Sequence, residues 1–271
     1  LPFTVHRSPS LRRIYMVDMQ IIDSHIHCGV QNVDLPFEII SPLLQEAGIT
    51  GACLYAPVED IYDRYNPNFQ DSHKWRETRH AANTYLIDLA ARNESIFPYL
   101  FVWNDFAIEE LRQDYRGIKW HRHDNEPIYH YEDPRCGEII QEITRRRLPI
   151  VLEESFTNTC RFVEQLAPDA VIIIPHLGAL NGSYPALERA GIWRRSNTFA
   201  DTALAPTDHM RHFIHHYGVE RLLFGSDFPF GAPGHELRKV ETLGLSDTDF
   251  EKVAGGNFLA LMAEVVPPGK A

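Results

Sequence analysis

Eight short apolar runs, most of them separated from the next by a segment of helical spacing, limit what this chain can fold into more than any other feature. The runs are "MQIIDSH", "ITGACLYAP", "SIFPYLFVW", "RGIKWH", "LPIVLEES", "AVIIIPHLG", a weaker "SNTFADTA" and "RLLFGSDFPF". Between them lie "FEIISPLLQEAG" with its closing Gly48, "SHKWRETRHAANTYLIDLAARNE" behind a Ser72 cap, "PRCGEIIQEITRRR", "TCRFVEQLAP" and "TDHMRHFIHHYG". Several runs are continuously apolar rather than alternating, as parallel strands covered on both faces are. A chain of 271 residues has the length for one closed (β/α)8 barrel. An open doubly wound sheet would more often carry a glycine-rich phosphate loop after its first strand, and "IIDSHIHCG" contains no G-x-G-x-x-G. The expected fold is an α/β, single-domain TIM barrel over residues 19–271, preceded by an extension, residues 1–18, that is given no function. The irregular stretch "VEDIYDRYNPNFQD" follows the second strand and is placed to lie over the barrel mouth.

Composition removes several function classes. The net charge is −11 and no Lys/Arg block occurs, which argues against a nucleic-acid partner. The opening residues lack the apolar run of a signal peptide, and no segment approaches the roughly 18 apolar residues of a membrane span. Cys28, Cys53, Cys136 and Cys160 form no C-x-x-C pair and are expected to be reduced thiols. These points lead to the expectation of a cytoplasmic protein with a small-molecule substrate and no membrane partner. A homodimer is the default assembly, being the commonest among soluble homo-oligomers.

In a barrel, chemistry is carried at the C-terminal ends of different strands. Those ends supply His25 and His27, then Lys119 and His121, Glu153, His176, Asp201 and Asp227. His25 and His27 lie two residues apart, so along one strand they face the same side. An H-x-H pair alone is as easily structural as functional, and its weight comes from His176 and Asp227 at other strand ends. Two imidazoles and a carboxylate suit a divalent ion such as Zn²⁺, which brings a water nucleophile within reach at neutral pH. Other features have plainer readings. Glu153 and Glu154 are adjacent, so only one can face the barrel. Lys119 could simply pair with Glu153, Asp201 could cap, and His121 and His123 could merely line a loop. His209, His212 and His216 share one face of a helix and read as its solvated outer side, as do His73 and His80 on theirs.

The motifs "IDSHIHCG", "GIKWH", "IIIPHLG" and "LLFGSDFPF", closed by "GGNFLALM", resemble the amidohydrolase superfamily, specifically its amidohydrolase-related branch, over roughly residues 20–263. The resemblance implies a barrel with a mononuclear or binuclear metal centre, or occasionally none. It implies either hydrolysis of amides, esters or lactones or non-oxidative decarboxylation of aromatic or muconate-type acids. By position His25 and His27 match the H-x-H ligands, Asp227 matches the carboxylate that binds metal or accepts a proton, and His176 matches the strand-six histidine. One departure stands out: the branch usually has a histidine ligand where this chain has Glu153. A carboxylate can bind zinc but makes a hard ion such as Mn²⁺ more acceptable. Carboxylation of Lys119 to bridge two metals, as in other branches, is the less favoured arrangement.

The expectation is therefore a metal-dependent hydrolase of a small carbonyl substrate, with a divalent ion, zinc before manganese, on His25, His27, Glu153 and Asp227. Asp227 and His176 would be catalytic, and Lys119, His121 and Arg122 would meet an acidic substrate group. A carboxy-lyase is the alternative, and a metal-free lactonase or a non-catalytic binding protein the further one.

Overall fold

The computed structural model of the protein describes residues 19–269. The extension expected over residues 1–18 lies outside the described residues. Each expected apolar run contains a strand: β1 (Ile22–His27), β2 (Gly51–Tyr55), β3 (Ile96–Phe101), β4 (Gly117–His121), β5 (Ile150–Glu153), β6 (Ile172–Ile174), β7 (Thr198–Asp201) and β8 (Leu222–Leu223). Neighbouring strands pair in parallel in sequence order from β1 to β8. Ile118, Ile150, Leu152, Ile172 and Ile174 are fully buried, as a sheet covered on both faces requires.

β8 is only two residues long, and the chain just beyond it closes the barrel. Ser24 and His27 donate their amides to the carbonyls of Phe224 and Phe228, each at 2.9 Å, and Asp227 donates to the His25 carbonyl at 2.8 Å. The seam is thus made of the residues that carry His25, His27 and Asp227. It would not close if residue 225 had a side chain, since a Cβ there would stand 2.9 Å from that of His25.

The helices are α1 (Phe37–Ala47), α2 (His73–Ala90), α3 (Pro134–Arg145), α4 (Phe156–Arg161), α5 (Tyr184–Arg189), α6 (Thr207–Tyr217), α7 (Pro233–Glu241), α8 (Asp247–Glu251) and α9 (Asn257–Glu264). Gly48 ends α1 in the left-handed region at φ 73°, and Ser72 Oγ accepts from the Trp75 amide at 3.3 Å to start α2. Between β3 and β4 there is only a helical turn, Ile108–Arg112. α9 is tied to the last strand through Asn257 Nδ2, which donates to Val219 and Leu222 carbonyls at 2.7 and 2.9 Å. All four cysteines are free, and Cys160 alone is partly exposed. Among the described residues no helix is long and apolar enough to cross a membrane.

Candidate metal centre and active site

β1 brings both of its histidines to one carboxylate. Asp227 Oδ1 lies 3.1 Å from His25 Nε2 and 3.2 Å from His27 Nε2. The ladder between β1 and β2 slips by one residue between Asp23 and Ile26, an irregularity of the kind that re-aims a side chain beside a site. Behind His25, Nδ1 lies 2.7 Å from Asp201 Oδ2 at the end of β7. A carboxylate can only accept, so His25 donates from Nδ1 and turns the lone pair of Nε2 toward Asp227. Both His25 Nε2 and Asp227 Oδ1 are buried and neither makes a hydrogen bond. Two acceptors facing each other at 3.1 Å repel unless a proton or a cation stands between them. Donors about 2.1 Å from a tetrahedral ion stand roughly 3.4 Å apart, so the residues present fit a divalent ion.

His176, from the end of β6, forms with His25 and Asp227 a group whose donor atoms lie within 4.8 Å of one another, which His27 meets through Asp227 Oδ1. Its Nδ1 lies 2.9 Å from the Ala203 carbonyl and therefore carries the proton. Nε2 is left between Asp227 Oδ2 at 3.9 Å and Glu153 Oε2 at 3.6 Å. His176 and Asp227 both sit at positive φ, 57° and 59°, where a side chain costs about 1–3 kcal/mol. Asp201 holds His176 there by accepting its amide at 2.8 Å, and the His25 carbonyl holds Asp227.

The charges around these groups are strongly displaced. Burial pulls His176 down, but Glu153 and then the two aspartates outweigh it and raise it to about 9. Burial and then Lys119 pull His25 down, and Asp201 and Asp227 together outweigh them, so that it too is raised. Asp227 is held well below the usual carboxylate range: burial pushes it up and the His25 and His27 rings push it down further. His27, by contrast, is lowered, chiefly by burial.

Glu153 belongs to a second group. It pairs in register with His121 on β4, and its Oε1 lies 3.2 Å from His121 Nε2 and 2.6 Å from His123 Nε2. Its Oε2 lies 3.2 Å from Lys119 Nζ. The structure therefore brings together His25, His27, His176 and Asp227, and separately Lys119, His121, His123 and Glu153. Glu153, expected among the inner ligands, meets that inner set only at His176. Burial pulls His121 down to about 4 against the opposing pull of Glu153. Arg122, expected at the substrate, follows His121 by one residue and so faces the other way, donating to Glu154 Oε1 at 2.6 Å and to the Asp124 carbonyl at 3.0 Å.

The loop after β2 fastens over the second group. Tyr62 stacks on Trp103 at 4.0 Å between ring centres and donates to Glu126 Oε2 at 2.8 Å, and Arg64 Nε donates to Glu126 Oε1 at 2.7 Å. Tyr62, Arg64 and Glu126 escaped the sequence reading because loop residues carry no strand-end signal. Tyr55 escaped it too, although it ends β2 and stands edge-on to His25 and His27, 5.1 and 5.0 Å away. Its position as the last residue of a strand was the signal that could have found it. The α6 histidines stay on the outer layer: His209 stacks on Tyr184, and His212 Nδ1 lies 2.8 Å from the Tyr184 hydroxyl.

A family model described as amidohydrolase matches residues 22–261. No curated protein matches the chain significantly. Among solved structures, a 2,6-dihydroxybenzoate decarboxylase from Rhizobium is similar at TM-score 0.72 and 17% identity, over 90% of this chain and 99% of that one. A dihydroxybenzoic acid decarboxylase from a Polaromonas species, with manganese and 2-nitroresorcinol bound, matches at TM-score 0.71 and 15% identity over 90% and 97%. A Pseudomonas putida protein assigned as a 2-pyrone-4,6-dicarboxylic acid hydrolase matches at 0.67 and 18% over 92% and 99%. At these identities the likeness is one of fold.

Proposed function

The chain belongs to the amidohydrolase family, and from that premise we propose that it is a metal-dependent hydrolase of a small carbonyl compound, a lactone, ester or amide. The observation that carries the reading is that His25 Nε2 and Asp227 Oδ1 are buried, 3.1 Å apart and without a hydrogen bond, with His27 on the same oxygen. His25, His27 and Asp227 would hold the ion, with zinc favoured by the imidazoles and manganese acceptable. Bound there, the ion supplies Lewis acidity and activates water for attack at neutral pH. Asp227 Oδ1 is turned to the two β1 rings, so Oδ2 is the oxygen that accepts the proton from the attacking water. His176, raised to about 9, is cationic at neutral pH and donates from Nε2 to the oxygen on which charge develops. Lys119 and His121 are held to Glu153 at 3.2 Å and His176 more loosely at 3.6 Å, so His176 is the residue we set against the reacting carbonyl.

A second reading, non-oxidative decarboxylation of an aromatic or muconate-type acid, is favoured by one observation: two similar structures spanning nine tenths of this chain are dihydroxybenzoate decarboxylases. A panel of lactones, esters, amides and hydroxybenzoates decides between them. Hydrolysis is expected to put oxygen from isotopically labelled water into the product without releasing carbon dioxide. Carbon dioxide release with solvent hydrogen on the product carbon would replace the hydrolase reading with the lyase one.

A further inference from the structure

Two ring nitrogens aimed at a single carboxylate oxygen describe more than a hydrogen-bond pair. His121 Nε2, His123 Nε2 and a Glu153 oxygen lie within 4.8 Å of one another, and both nitrogens converge on Oε1. His121 and Glu153 are rigidly placed, each ending a strand and paired in register on the adjacent strands β4 and β5. His123 lies on the loop two residues beyond the end of β4, with its side chain 35% exposed, which provides a way in from solvent. Behind the two rings stands one carboxylate: Glu126 Oε2 is 3.8 Å from His121 Nδ1 and Oε1 is 3.6 Å from His123 Nδ1. A metal-ligating histidine needs such an acceptor for the proton on its far nitrogen. Glu126 is itself held by Tyr62 and Arg64.

We propose that His121, His123 and Glu153 form a second divalent-cation site, separate from that of His25, His27 and Asp227. The donor set, two imidazoles and one carboxylate with the remaining position open, is one that zinc accepts. On binding, each Nε2 gives up its interaction with Oε1 and offers a lone pair. His123 Nδ1 then donates to Glu126, and Arg64 Nη2, now 3.3 Å from that nitrogen, stays with the same carboxylate through its Nε. Lys119 and Arg64 place two positive charges beside the site and Glu153 and Glu126 two negative ones, so the surroundings are neutral before the ion arrives. Lys119 and His176 also bear on His25 beside Asp201 and Asp227, so charge does not separate the two sites. The second site has a partly exposed ligand in His123, and its ion is therefore held more weakly and exchanges first.

Equilibrium dialysis of the full chain against zinc alone, followed by elemental analysis, tests this. Zinc is expected to fill two classes of site, with the weaker class weakened at least about tenfold by His123→Ala and by Glu126→Gln. The weaker class is expected to persist in Asp227→Asn, so loss of the inner reading leaves this one standing. His123 is partly exposed, and a far-ultraviolet spectrum like that of the wild type shows that its variant folds. A weaker class unchanged in His123→Ala, or lost instead with His212→Ala and His216→Ala on α6, would overturn the proposal. So would disappearance of both classes in Asp227→Asn, or a single class in the wild type.

Discussion

The two clusters at the barrel mouth use the same kinds of residue and differ in what already satisfies the carboxylate. Asp227 is met directly by three imidazoles, with Lys119 acting on two of them from further off, and one of its oxygens faces His25 without a hydrogen bond. Around Glu153 stands the fully buried ammonium of Lys119, and two histidines share its other oxygen. A buried charge must be paired, and the outer carboxylate brings its partner from the next strand. The inner one depends on a proton or a cation. The same chemistry thus yields a centre that needs a proton or an ion between its groups beside one that is already paired.

The largest expected effect comes from removing the demand. Asp227→Asn should lose the inner ion and lower turnover by on the order of 10²–10⁴-fold, measured as initial rate on the best substrate of the panel. A folded Asp227→Asn with full turnover would erase the distinction between the two clusters. Next is His176→Asn, for which a loss in turnover of about 10²-fold is expected with metal content unchanged, because His176 acts on substrate. A parallel loss of metal would instead make His176 a ligand.

Asp201→Asn is expected to be milder. It keeps the acceptor for the His176 amide but no longer fixes the proton on His25 Nδ1, so inner metal affinity should fall about 10–100-fold in a chelator competition. The smallest effect is on pH dependence of the metal-free chain. His176 is raised to about 9, so the native state holds its proton more tightly than the unfolded state does. The resulting stability is full below its ordinary value of 6.5 and is lost as pH rises through about 9. Thermal melts of chelated protein should show Tm falling over that window, and the fall should shrink in His176→Asn. An unchanged fall in the variant would assign it to other groups.

The barrel was legible because buried parallel strands leave continuous apolar runs, and all eight runs became strands. His25, His27, His176 and Asp227 were legible for the same reason: closure of a barrel carries strand ends to one mouth, whatever their separation in sequence. The allegiance of Glu153 was not, since it depends on where His123 lies beyond the end of β4, and loop paths leave no periodicity. Arg122, the first residue beyond β4, was not legible either, since it turns to Glu154 across the next strand. Tyr62, Arg64 and Glu126 meet across loops far apart in the chain, and only the fold brings them together.

The most direct test of the inner centre is metal content per chain, by elemental analysis of untagged protein purified without chelator, beside its Asp227→Asn variant. The wild type is expected to hold a divalent ion tightly and the variant to lack it. A wild type that holds none even after exposure to zinc and manganese, or a variant that keeps its ion, would contradict it.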